Sequence, residues 1–210
     1  ERAMARILIL EDNDDDFAIY AETLLPHFQL ERFTTLAQFM SALDVPASQV
    51  SFDLLLVDLM LPDGFSMVVL KEFLEARMGQ IPFVLISARD EEKFQRMTYE
   101  LGGLDYIVKP FAVTELLVRL ENAITRGRVR AAEQKFEMIL PPIQLRILKT
   151  VLGHPLQKIP KKDLAAKLWR SPAESAWLSL KTHLSSMRKT LPKHGFALDT
   201  DSACVSIRRS

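Results

Sequence analysis

The chain lacks most of the features that would place it outside the cell or in a membrane. It has one cysteine in 210 residues, Cys204, so no internal disulfide can form and nothing marks a stapled secreted domain. Cys204 is expected as a small buried hydrophobe in a strand. Glycine is scarce, 7 residues beside 11 prolines, which excludes collagen-like and Gly-rich sequences. The longest apolar runs, such as Leu54–Val57 and Val68–Leu70, fall far short of the roughly 18 residues that span a bilayer. No Lys/Arg-flanked apolar segment opens the chain, so no signal peptide is expected. His27, His154, His183 and His194 do not fall at metal-ligand spacings, which argues against zinc. No Gly-rich phosphate loop or nucleophile elbow occurs, which argues against a nucleotide-driven motor or a hydrolase of that kind. Net charge is absent too, with 27 Lys+Arg against 27 Asp+Glu. At 48% hydrophobic and 26% charged, the chain is too apolar and too neutral for disorder. The expectation is a soluble cytoplasmic protein of one or two domains, without a membrane partner.

The zero net charge conceals an asymmetry. Residues 1–125 hold 10 Lys+Arg against 21 Asp+Glu, whereas residues 138–210 hold 13 against 4. Residues 126–137 hold 4 against 2. Two modules with different partners are expected, the basic one suited to an anionic surface and the acidic one to cations.

Over residues 1–125, short apolar runs alternate with helical patterns five times. Arg6–Leu10, Phe28–Phe33, Asp53–Asp58, Pro82–Ser87 and Tyr106–Val108 read as strands. Asp14–Leu25, Leu36–Leu43, Val68–Ala76, Glu91–Leu101 and Val113–Ile124 read as helices, the first with aspartates in its first turn, where the dipole favours negative charge. This alternation implies a doubly wound α/β fold with a parallel sheet and its site at the carboxyl ends of the strands.

The residues at those ends suggest a chemistry. The first strand runs into Glu11–Asp12, the third ends in Asp58, the fourth in Ser87 and the fifth in Lys109–Pro110. Alone, Asp12 or Asp58 would be a turn former or a cap and Lys109 a solvated lysine; five such residues at strand ends carry more weight. Crowded carboxylates call for a cation, and Mg2+ suits an oxygen-donor set with one or two carboxylates. Asp58 could then attack a phosphoryl donor, with Lys109 neutralising charge and the Ser87 hydroxyl donating to a phosphoryl oxygen. No general base is required, because a carboxylate is ordinarily ionised near neutrality.

The segments "ARILILEDN", "DLLLVDLMLPDG", "FVLISAR" and "GGLDYIVKPF", in order over residues 4–126, resemble the receiver domain of two-component response regulators. The resemblance implies Glu11 and Asp12 as the acidic pair, Asp58 as the phospho-acceptor, and the Met60 backbone carbonyl as the remaining protein ligand to Mg2+. It also implies Ser87 and Tyr106 as a switch pair, Lys109 as the partner of the phosphoryl group or Asp58, and a cis Lys109–Pro110 peptide. A sensor histidine kinase would be the phosphodonor, and self-phosphorylation with slow dephosphorylation the only activity, so an enzyme is not expected. In OmpR/PhoB-like members, the face made by the fourth helix, fifth strand and fifth helix forms a homodimer. Glu100, Asp105, Glu115, Arg119 and Arg126 match that face, whereas Gln95 and Leu104 depart from it, Leu104 suggesting a more apolar contact.

"RGRVRAAEQK" (126–135) reads as an extension of the preceding helix or as part of a linker, placed at 127–137. Helices are expected at Ile143–Leu152, Lys161–Trp169 and Ala173–Leu191, the last with Trp177, Leu180, Leu184, Met187 and Leu191 facing a core. A hairpin of Phe196–Asp199 and Cys204–Ile207 follows. Residues 138–210 thus read as a small winged-helix effector, and they resemble the OmpR/PhoB-type output domain in shortened form. The resemblance makes the third helix the recognition helix for DNA, with Lys181, Thr182, His183, Ser186, Arg188 and Lys189, and Arg208 on the hairpin, as contacts. The sheet that normally precedes the first helix has no room here. Leu178 and Ser186 stand where arginines are usual, and "TDSA", with Asp201, replaces a Gly-rich wing tip. A DNA-binding transcription regulator is therefore expected, with an effector that binds a protein partner as the alternative.

Overall fold

The protein is described from a computed structural model, which covers residues 4–43, 52–76, 81–169 and 174–209. The chain divides into two compact units, residues 1–127 and 128–210.

The first unit alternates strands and helices. In chain order it holds β1 (Ala5–Leu10), α1 (Asp14–Leu24), β2 (Phe28–Phe33), α2 (Leu36–Leu43), β3 (Leu54–Asp58), β4 (Met60–Leu61) and β5 (Gly64–Phe65). There follow α3 (Ser66–Ala76), β6 (Phe83–Ser87), α4 (Glu92–Glu100), β7 (Asp105–Val108) and α5 (Val113–Phe136). The five long strands form one parallel sheet in the order β2-β1-β3-β6-β7. This is a doubly wound α/β fold whose strand order reverses between β1 and β3, so a crevice opens beyond their carboxyl ends.

The apolar runs are continuous because both faces of the sheet are covered. Leu8, Leu10, Leu55, Val57, Phe83, Leu85 and Tyr106 belong to a core that also takes Phe39, Leu70, Phe73 and Phe94 from α2, α3 and α4. The alternate residues Ile7, Ile9, Leu54, Leu56, Val84, Ile86 and Ile107 pack with Tyr20, Leu24, Leu116, Leu120 and Ile124 of α1 and α5. Each such side chain removed from water stabilises the fold by about 1.5–3 kcal/mol. The central strands are therefore fixed from both sides, and the groups at their ends inherit that rigidity.

The second unit takes the final residues of α5 from Arg128 onward, then α6 (Pro142–Leu152), β8 (Lys158–Pro160), α7 (Lys161–Leu168), α8 (Glu174–Thr190), a 3-10 turn at Leu191–His194, β9 (Phe196–Thr200) and β10 (Cys204–Arg209). Its sheet is antiparallel in the order β8-β10-β9. Residues 126–135 thus take the helical alternative, and Ala132 and Phe136 join the core of the second unit with Ile147, Leu164, Leu184, Met187 and Ile207.

Two expectations fail here. Trp177 is 45% exposed rather than buried, because the inward stripe of α8 runs through Ala176, Leu180, Leu184 and Met187, one residue out of phase with it. Cys204 is half-exposed rather than buried.

Candidate functional site

β1 delivers Glu11 to the rim of the sheet, where its backbone N–H donates to the Phe33 carbonyl at 3.0 Å. The carboxylate is buried, with Oε1 accepting from Asn13 N at 3.0 Å and Oε2 from the Tyr20 hydroxyl at 3.1 Å. Burial pushes the Glu11 carboxyl upward, against the pull of the neighbouring Lys109. Arg32 ties this loop down, donating to the Glu11 carbonyl at 2.8 Å, the Asp12 carbonyl at 2.9 Å and the Asp14 carboxylate at 2.7 Å. The Asp12 side chain is exposed and has no partner among the described residues.

Asp58 closes β3. Its Oδ1 accepts from the backbone N–H of Met60 at 2.9 Å, and its Oδ2 accepts from Lys109 Nζ at 2.6 Å. Met60 lies in the short β4–β5 hairpin, paired with Phe65. Ser87, at the end of β6, is buried, and its Oγ accepts from Arg89 N at 3.0 Å. Lys109 follows β7, its N–H donating to the Ser87 carbonyl at 2.8 Å, and the Lys109–Pro110 peptide is cis. Lys109 Nζ also donates to Glu11 Oε2 at 2.9 Å and to Asp16 Oδ2 at 2.7 Å. Desolvation pulls the ammonium downward, but the bonds to Asp16, Asp58 and Glu11 outweigh it and hold Lys109 well above its usual value.

Tyr106 is buried, its hydroxyl donating to the Arg89 carbonyl at 2.6 Å, and burial raises its phenol. The Tyr106 ring is thus turned inward in this structure. Along the α4–β7–α5 face, Arg119 pairs with Asp105 at 3.0 Å and with Glu115 at 2.8 Å, and Arg126 donates to the Leu104 carbonyl at 2.6 Å. Glu100 is exposed and 3.5 Å from Arg96. Leu104 is half-buried against the α1/α5 side of the core, so its apolar surface is partly spent inside its own unit.

In the second unit, α8 exposes Lys181, Thr182, Ser186, Arg188 and Lys189, with His183 half-buried. Arg188 bonds the Thr200 hydroxyl and Arg208 pairs with Asp199 at 3.0 Å. A cleft of about 380 Å³ lies between α8 and β9, with Leu180 and Leu184 as its floor and Trp177, Lys161, Lys181 and Arg188 around it.

The structure therefore brings Glu11, Asp58 and Lys109 into direct contact, with Ser87 bonded to Lys109 through the backbone. Asp16 and Tyr20 belong to the same group and are absent from the sequence reading. Their only signal is a spacing of four along α1, which places both on one helical face. Among the described residues, no three His, Cys, Asp or Glu side chains stand together as a metal cage. Mg2+ needs no such cage, since one or two carboxylates with water suffice. The Asp12 carboxylate, without a side-chain partner among the described residues, and that of Asp58, which accepts one bond on each oxygen, fit this demand, whereas Glu11 is buried and accepts three bonds.

Among known families, "Response regulator receiver domain" matches residues 7–121. The chain is 24% identical to the response regulator SaeR of Staphylococcus aureus, over 94% of this chain and 93% of that one. The non-phosphorylated HemR receiver domain from Leptospira biflexa is 30% identical, with a TM-score of 0.51, over 57% of this chain and 94% of that one. A CheY-like receiver domain protein from Methanospirillum hungatei superimposes with a TM-score of 0.54 at 19% identity, over 61% of this chain and 99% of that one, a likeness of fold alone.

Proposed function

The chain belongs to the response regulator receiver domain family, and from that premise we propose that it is a DNA-binding transcription regulator switched by phosphorylation of Asp58. The observation that carries the switch is the Asp58 carboxylate, fixed at the end of β3 with Lys109 Nζ 2.6 Å away. A carboxylate oxygen of Asp58 forms a bond to phosphorus while the P–N bond of a kinase phosphohistidine breaks, its electron pair leaving with the imidazole nitrogen. Lys109 neutralises charge on the transferring group, and the Ser87 hydroxyl turns to donate to a phosphoryl oxygen. Asp12, Asp58 and the Met60 carbonyl would hold Mg2+, with Glu11 behind them, and the ion would supply charge that lets an anionic group approach several carboxylates. No turnover of another substrate is assigned to these residues.

Drawing Ser87 toward the phosphoryl group alters the packing beside Tyr106, and through it the α4–β7–α5 face. There Glu100, Leu104, Asp105, Glu115, Arg119 and Arg126 form the proposed homodimer contact, with Arg119 exchanging bonds inside the chain for bonds to the second copy. The second unit is read as a winged helix with α8 as the recognition helix. Its excess of cations and the exposed Lys181, Thr182, Ser186, Arg188 and Lys189 suit phosphate contacts. The relative named SaeR matches along nearly all of both chains, so the likeness takes in this unit too. A second reading, docking of a protein partner on α8, rests on Trp177 and Leu178, which are 45% and 67% exposed beside those cations.

The test is a DNA shift assay on the full chain and on Asp58→Asn, with and without a small-molecule phosphodonor, across a salt series. Binding by the wild type is expected to strengthen on phosphorylation and weaken steeply with salt; Asp58→Asn is expected to take no label and to show no gain. Label on Asp58→Asn would overturn the acceptor, and salt-insensitive or absent DNA binding would favour the protein partner.

A further inference from the structure

Lys109 is held from three sides, and phosphoryl transfer explains only two of them. An ammonium has three hydrogens to donate. Nζ donates to Glu11 at 2.9 Å, Asp16 at 2.7 Å and Asp58 at 2.6 Å. Glu11 and Asp58 stand at the ends of β1 and β3, where the acidic site lies. Asp16 comes from the first turn of α1, whose phase is set by Asn13, its side chain accepting from Asp15 N and Asp16 N. Of three consecutive aspartates, Asp14 turns to Arg32 and Asp15 has no side-chain partner among the described residues. Asp16 alone of the three reaches Lys109. One turn further on, the Tyr20 hydroxyl bonds Glu11, and its ring centre lies 5.8 Å from Nζ.

We propose that Asp16 is a positioning residue that restrains the Lys109 ammonium on its α1 side and thereby slows phosphorylation of Asp58. The inference rests on reading Asp58 as the phospho-acceptor. A phosphoryl group arriving at Asp58 draws on the charge and hydrogens of Lys109. With Asp16 in place that charge is shared among three carboxylates, and Asp16 adds a fourth negative group, with Asp12, against the incoming anion. Hydrogen bonds between two charged groups are the strong ones, so turning Nζ away from Asp16 resists transfer. Neutralising Asp16 removes its charge and weakens its hold on Nζ, and both effects favour a faster reaction.

The experiment follows phosphorylation of the full chain by acetyl phosphate at saturating Mg2+. An Asp58 oxygen bonds phosphorus as the P–O bond to acetate breaks, and acetate leaves with the electron pair. Asp16→Asn is expected to react roughly five- to tenfold faster than the wild type, the scale of about 1 kcal/mol in a barrier. Asp16→Glu, which restores the carboxylate, is expected to return toward the wild-type rate. Asp15→Asn, which removes the same charge one residue earlier without touching Lys109, is expected to leave it unchanged. Equal rates in Asp16→Asn and the wild type, or equal acceleration in Asp15→Asn, overturn the inference while leaving the acceptor intact. No label on the wild-type chain overturns both. A second reading comes from the 1H–15N signal of the Lys109 ammonium in Mg2+-free protein. Its hydrogens are expected to exchange slowly in the wild type and faster in Asp16→Asn, and an unchanged signal would also overturn the proposal.

Discussion

Asp201 sits in the turn between β9 and β10, its Oδ1 accepting from Ala203 N at 2.8 Å and Cys204 N at 2.6 Å, with Lys158 3.0 Å from the other oxygen. An acid that looks misplaced in a basic module therefore builds the turn. The two backbone donors, then Lys158, lower its carboxyl from 3.8 to about 2. A depressed acid stabilises the fold above its unfolded value and loses that contribution as pH falls through the folded one. The Ala203 and Cys204 amide shifts are expected to titrate with a midpoint at about 2 rather than 3.8, and Asp201→Asn to abolish that step. The same residue type at position 16 shows what a sequence conceals. Glu11, Asp58, Ser87 and Lys109 are legible because each ends an apolar run that must be a buried strand. Asp16 reads only as first-turn charge, since its inward phase depends on the Asn13 cap and its partner lies 93 residues away.

Element boundaries were legible where periodicity had length to act on, as in β2, which occupies the expected span Phe28–Phe33. The hairpin β4–β5 and the strand β8, two or three residues each, escape any periodic signal. The joint between α4 and β7 holds Gly102–Gly103, and the two glycines serve different ends. Gly102 takes φ +85°, the left-handed conformation that ends a helix. Gly103 has no room for a side chain: a Cβ would lie 2.5 Å from Thr98 Cγ2, 2.8 Å from the Thr98 carbonyl oxygen and 2.9 Å from Phe83 Cε2. The carbonyl cannot withdraw without distorting α4, so Gly103→Ala is expected to cost about 1–3 kcal/mol. Denaturant unfolding of the full chain is the measurement, and a loss below about 0.5 kcal/mol would show that the joint yields.

For the whole molecule, two modules of opposite charge were evident from composition, and two compact units are present. The function of α5 was not legible, because "RGRVRAAEQK" is polar enough to be a linker and only the packing shows which residues turn inward. Ala132 and Phe136 are fully buried, and the Phe136 ring lies 5.5 Å from that of His194 and 5.4 Å from that of Phe196. Losing a buried Phe costs about 3–5 kcal/mol, much of the roughly 5–15 kcal/mol that holds a domain together. A fragment of residues 128–210 is therefore expected to unfold cooperatively, and one of residues 138–210 to show no thermal transition. A cooperative transition in the shorter fragment would remove Phe136 from the core's essential members.

The helix end in that core also sets where genes could exchange these modules. A recombination joint placed just after Phe136 would hand the new protein an output module lacking its innermost aromatic ring. A joint near Gly127 would deliver the module with its core complete. Descent by domain shuffling should therefore leave its seams inside the helix, at the point where side-chain allegiance changes, and not at the helix end.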